Sequence, residues 1–97
     1  MKTFYLDKTL LNGTTPIFYK EELDGGGKTW IDLMKDYPWP KVNSIMEMCC
    51  GPGFMGYYLK HKYKIPKLTL VDIHEPVRTV IEKTNKFNNW GSEVDLY

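Results

Sequence analysis

A chain of 97 residues carrying a net charge of +1 and 14% aromatic residues is sized for one small globular domain and is too apolar to stay disordered. The near-neutral balance sets up no global basic field that would attract nucleic acid, and no apolar run approaches the roughly 20 residues that cross a bilayer. Asp7 stands where a signal peptide would carry its apolar core, so a cytoplasmic location is expected.

Residues 1–28 read as an N-terminal extension. Thr14 to Tyr19 suits a short extended segment, and Asp24-Gly25-Gly26-Gly27 marks a loop. Three consecutive glycines are either a flexible linker or a place where the backbone passes something closely. Residues 29–97 carry the regular pattern. Thr29-Trp30-Ile31-Asp32 has the form of a capping box. Trp30, Ile31, Met34 and Tyr37 then make one helical face, which Pro38 and Pro40 end. Ser44-Ile45-Met46-Glu47-Met48 is a short strand that breaks into Cys49-Cys50-Gly51-Pro52-Gly53. Phe54, Met55, Tyr58, Leu59 and Tyr63 mark a helix running to about Lys64, with His61 among lysines on its solvated side.

Pro66 separates that helix from the β-rich run Leu68 to Ile73. His74-Glu75-Pro76 starts a third helix, with proline near the first helical position and Val77, Val80, Ile81, Thr84 and Phe87 as its buried stripe. Glu93 to Tyr97 begins a third strand. Helices alternating with strands predict an α/β domain with a parallel sheet of about three strands and flanking helices. The only cysteines are the neighbours Cys49 and Cys50, a spacing that suits neither a disulfide nor a zinc site. Two reduced thiols are expected, and no metal site.

Chemistry concentrates in the turn. Gly51-Pro52-Gly53-Phe54-Met55-Gly56 matches G-x-G-x-x-G, and Asp72 follows about twenty residues later, as in a dinucleotide site. Glu47 argues against that ligand. A carboxylate in the strand just before the turn would repel a pyrophosphate, whereas a zwitterionic or cationic ligand would welcome it. S-adenosylmethionine meets this condition, with an ammonium, a sulfonium and no phosphate. Its amino-acid end can meet the turn beside Glu47, Asp72 can accept the ribose hydroxyls, and Ile73 can pack on the adenine.

Glu47-Met48-Cys49-Cys50-Gly51-Pro52-Gly53-Phe54 followed by Leu70-Val71-Asp72-Ile73 resembles the first two cofactor motifs of class I S-adenosylmethionine-dependent methyltransferases. Cys49 stands where that family usually has its first glycine. Tyr19, Leu23 and Asp24-Gly25-Gly26-Gly27, taken with the turn, are similar to the HemK-like and methyltransferase small domain group. The resemblance implies a truncated Rossmann-like fold and a cofactor site built from Glu47, Cys49, Gly51, Pro52, Gly53, Phe54, Asp72 and Ile73, with Asp24 and Gly25 near the methionine end. It also implies S-adenosylhomocysteine as the product ligand and a nitrogen acceptor.

The family's Asn-Pro-Pro-aromatic tetrad is absent from these 97 residues, so the resemblance reaches the cofactor-binding half and no catalytic residue. A gene fragment or one part of a split enzyme is the corresponding expectation. A bare sheet edge near Met46 and Met48 would then favour a homodimer. The methyl acceptor is not legible. An NAD(P)- or flavin-binding module and a non-catalytic interaction protein are the alternative readings.

Overall fold

The computed structural model describes residues 1–7, 15–24 and 26–97. Two sheets organise it. Strand β1 (Lys2–Tyr5) pairs antiparallel with β2 (Pro16–Tyr19), Lys2 opposite Tyr19 and Tyr5 opposite Pro16. The second sheet is parallel, in the order β3 (Ser44–Met48), β4 (Lys67–Val71), β5 (Val94–Leu96). Helices α1 (Gly27–Met34), α2 (Phe54–Tyr63) and α3 (Glu75–Asn88) complete the chain. The α/β class and the three parallel strands agree with the sequence reading and are compatible with a Rossmann-like fold.

Register explains the burial. Ile45 sits opposite Leu68 and Glu47 opposite Leu70, while Leu68 also sits opposite Val94. Alternate residues of a strand share a face, and Leu68, Leu70 and Val94 are buried on this one. The opposite face presents Met46 and Met48, 65% and 63% exposed. Among the described residues β3 is an edge strand with nothing paired on its outer side.

The β1–β2 ribbon shares the core. Ile17, Tyr19 and Leu23 join Phe54, Leu70 and Val80 in one apolar cluster, and both Phe4 and Tyr19 set their rings edge-on to Phe54. Two bonds fasten β2 to α3. The Phe18 N–H donates to Thr84 Oγ1 at 3.0 Å, and Asn88 Nδ2 donates to the Pro16 carbonyl at 2.8 Å. Thr84 is fully buried, as its place in the expected stripe requires, but its hydroxyl also serves as a receptor for the ribbon.

Three local expectations are corrected. Helix α1 starts at Gly27, not after Thr29, so no capping box forms; Asp24 Oδ1 instead accepts from the Gly26 and Gly27 N–H groups at 3.0 and 2.9 Å. One upstream carboxylate satisfies two amides that a helix start leaves open. Of the expected α1 face only Ile31 is buried, while Trp30 and Tyr37 are 56% and 51% exposed. Neighbours on a helix point about 100° apart, so Trp30 cannot share the direction of Ile31. On α3, Phe87 is exposed and packs edge-on to Phe18. The expected extended segment is present from Pro16 to Tyr19; Thr14 lies outside the described residues.

Helix α2 buries residues the sequence did not single out. Tyr57 is fully buried, stacks on Trp90 and donates its hydroxyl to Asn85 Oδ1 at 2.5 Å. Lys60 is buried too, donating to the Ile65 carbonyl at 2.8 Å and to Glu93 at 2.9 Å. A buried cation is tolerated only with such partners, so this lysine is a structural clamp between α2 and the start of β5.

Candidate functional site

At the carboxyl end of β3 the chain makes a tight turn with three left-handed residues, Cys49 at φ 53°, Gly51 at φ 53° and Gly53 at φ 82°. Cys49, which stands where the resembled family usually has glycine, adopts the left-handed conformation all the same. A side chain in this conformation costs about 1–2 kcal/mol, offset in part because glycine loses more entropy on folding. Cys49→Gly should therefore stabilise the fold by about 0.5–1 kcal/mol, read as a higher urea midpoint at unchanged m-value.

The turn is tied to the second strand. Gly51 N–H donates to Asp72 Oδ2 at 2.9 Å, and His74 N–H donates to Asp72 Oδ1 at 2.8 Å. Asp72 thus holds the turn with one oxygen and the entry to α3 with the other. Each carboxylate oxygen has a further lone pair, so it can still accept from a ligand. Ile73 beside it is fully exposed, a large apolar side chain facing solvent.

Glu47 lies on the helix-facing side of β3, and its Oε1 accepts from the Gly56 N–H at 3.1 Å. Gly56 is glycine because a Cβ there would stand 2.9 Å from Leu68 Cδ1 and 3.0 Å from Glu47 Oε1; the helix lies almost on the sheet. Gly53 serves the same packing, since its Cβ would meet the Tyr57 ring at 2.8 Å. Burial pushes the Glu47 carboxyl up to about 7, against the opposing pull of the Gly56 bond. Burial also pushes the Cys50 thiol up to about 12, with the charges of Glu47 and Asp72 adding to it. Cys50 is therefore a protonated, packed thiol and no nucleophile.

These groups border a cavity of about 260 Å³, lined by Asp24, Gly27, Trp30, Glu47, Met48, Cys49, Cys50, Pro52 and Phe54. Of the residues expected from sequence, Asp24, Glu47, Cys49, Pro52 and Phe54 meet there. Gly51, Gly53, Asp72 and Ile73 do not line it, though the Gly51–Asp72 bond joins the cavity wall to the strand end where Asp72 and Ile73 sit. Gly25 lies outside the described residues. Trp30 and Gly27 were missed as lining residues. The sequence placed Trp30 on a buried helical face, and only the docking of α1 turns it toward the turn. The cavity is smaller than the roughly 300–1,000 Å³ of sites that enclose a drug-sized ligand, so it suits one end of a larger molecule. Two carboxylates and an indole give it a character that favours a cation. A larger cleft of about 490 Å³, bordered by α3 and β5, contains none of the residues the sequence singled out.

Over 78 residues the chain is 28% identical to Ribosomal RNA small subunit methyltransferase C of Pasteurella multocida (strain Pm70), a match covering 80% of this chain and 23% of that protein. This likeness supports a methyltransferase relationship. No family model and no solved structure matches the chain. Among the described residues no cluster of potential metal ligands occurs, and no helix is long and apolar enough to cross a membrane.

Proposed function

We propose that this chain binds S-adenosylmethionine, and S-adenosylhomocysteine after transfer, as the cofactor-binding part of a methyltransferase whose acceptor is a nitrogen atom. The observation that carries the reading is the Glu47 carboxylate bordering a glycine-turn cavity together with Asp24 and Trp30. A phosphate-bearing ligand would meet two acids there, whereas an ammonium or sulfonium meets acceptors and an aromatic face. When bound, the cofactor supplies the methyl group on its sulfonium.

The chain's own residues hold and orient it. Glu47 accepts from the ammonium and, being half-buried, does so where water screens the pair weakly. Asp72 uses its remaining lone pairs on the ribose, and the exposed Ile73 packs on the adenine. Asp24 and Gly27 close the methionine end, where the resemblance puts the neighbouring Gly25 as well. The nitrogen acceptor rests on the resemblance to the HemK-like group. The relative's substrate is not carried over, since the match spans under a quarter of that protein.

Isothermal calorimetry with S-adenosylmethionine and, separately, with NAD tests the assignment. Heat of binding is expected for the first and none for the second. Saturable NAD binding without S-adenosylmethionine binding overturns the reading, as does the absence of both.

A further inference from the structure

The net charge of +1 conceals a local separation of charge. Residues 35–71 contain six lysines and His61 against two acids, Asp36 and Glu47, and Glu47 is committed to the cavity wall at the other end of β3. Lys60 and Lys67 are paired with Glu93 and Asp95. Lys41 and Lys64 have no ion partner among the described residues, and Lys35 is in the same condition nearby.

Packing brings these cations onto an aromatic surface. The Lys62 amine donates to the Lys35 carbonyl, and the Tyr63 hydroxyl donates to the Tyr37 carbonyl at 3.2 Å. The end of α2 is thereby fixed beside the Tyr37–Pro40 segment. Tyr37, half-exposed, sets its ring edge-on to Trp39 at 4.9 Å, and the Lys62 amine lies over the rings of Tyr58 and Tyr63. Trp39, Lys41, Tyr63 and Lys64 border a cavity of about 300 Å³. The Trp39 Nε1–H is buried and has no acceptor among the described residues, so the indole ring and not its N–H faces the cavity.

We propose that this surface, formed by Tyr37, Trp39, Lys41, Tyr63 and Lys64, binds single-stranded nucleic acid. Exposed lysines beside the exposed Tyr37 ring and the partly exposed Trp39 and Tyr63 rings supply the two contacts that such a strand offers, backbone phosphate and base face. A purely anionic partner would use the lysines and leave the rings idle. The surface lies at the amino ends of β3 and β4, whereas the turn and Asp72 lie at their carboxyl ends. A five-residue strand separates them, about 15 Å. The proposal stands independently of the cofactor reading, and its test contains no cofactor.

The test is fluorescence anisotropy of a labelled oligouridylate of about 12 nucleotides, titrated with the 97-residue chain across about 50–200 mM salt. Binding in the micromolar range is expected, with log Kd rising against log salt at a slope of about 2–3, the release from three or four phosphates of a single strand. Lys41→Gln combined with Lys64→Gln should weaken binding about tenfold at low salt and lower the slope by about 1.4. Both side chains are exposed, so the variant should fold, and an unchanged circular dichroism melt verifies it. Tyr37→Leu should weaken oligouridylate but leave inorganic polyphosphate unaffected, because only the former stacks. An oligothymidylate of equal length identifies the source: equal affinity means either nucleic acid, and weaker affinity means RNA. Affinity unchanged in the double lysine variant overturns the proposal. So does binding of polyphosphate or of phosphatidylserine vesicles as tight as that of oligouridylate.

Discussion

Glu47→Gln should make the protein more stable at pH 8 while removing most of its affinity for S-adenosylmethionine. The wild-type carboxyl titrates near 7 in the fold and near 4.5 in the unfolded chain. Between those values the native state holds a proton that the unfolded state has released, so stability falls as pH rises through this window. Two and a half units correspond to about 3 kcal/mol as an upper bound, lower where water reaches the group. Glutamine keeps an oxygen for the Gly56 N–H and carries no charge. Its advantage should be about 2 kcal/mol at pH 8, should shrink as pH falls through 7 toward 4.5, and should vanish below about pH 3.5, where Glu47 is neutral in both states.

Ligand affinity should show the complementary pH dependence. If the bound ammonium requires a carboxylate, S-adenosylmethionine binding to the wild type weakens about tenfold from pH 8 to pH 6, with uptake of a proton by the free protein. The glutamine variant should bind weakly at both. Thermal melts and calorimetry at three pH values measure both halves. A wild-type affinity flat across pH 6–8 would refute the role of the Glu47 charge. Equal stability of the two proteins at pH 8 would refute its strain.

The second large effect is expected at Gly51. Its φ of 53° disfavours any side chain, and a Cβ there would stand 2.6 Å from the Leu23 carbonyl oxygen. That contact is backbone on backbone, with no flexible side chain to yield. Leu23 ends a short 3-10 helix, Glu21–Leu23, and is itself part of the buried cluster. Gly51→Ala must therefore either push the N-terminal segment off the turn or distort the turn tied to Asp72. Overpacking and the left-handed conformation together predict a loss of about 2–4 kcal/mol, measured as a lower urea midpoint. Gly91→Ala is the control, because a Cβ at Gly91 meets nothing within 4 Å and should change stability by less than about 0.5 kcal/mol. Matching midpoints for the two variants would show that the N-terminal segment does not press on the turn.

The elements with strong periodicity were legible from the residues alone. The alternation of β3 and β4, the proline before β4, the stripe of α3 and the glycine turn are local patterns, and each depends on neighbours a few residues apart. The order of helices and strands then led to a parallel sheet, and the carboxylate four residues before Gly51 narrowed the ligand class. Strand β1 was not legible, because Lys2–Tyr5 is a strand only by pairing with residues more than ten positions away. Nor was the burial of Tyr57 and Lys60, which depends on Trp90, Asn85 and Glu93 arriving from the far end of the chain.

By itself, then, the sequence determined the α/β order, the turn and the acid beside it, since strand, turn and helix propensities act over short range. Only the tertiary structure decided that Glu47 is held beneath α2 with a raised pKa, because its desolvation comes from a helix packed on the sheet. It also decided that Asp24 borders the cavity, that Trp30 faces that cavity, and that Gly51 is pressed by Leu23. The Asp24 cap on α1 is local, two and three residues from Gly26 and Gly27, and the Asp-Gly-Gly-Gly run did not single it out; the others depend on contacts between segments that no short window of residues contains.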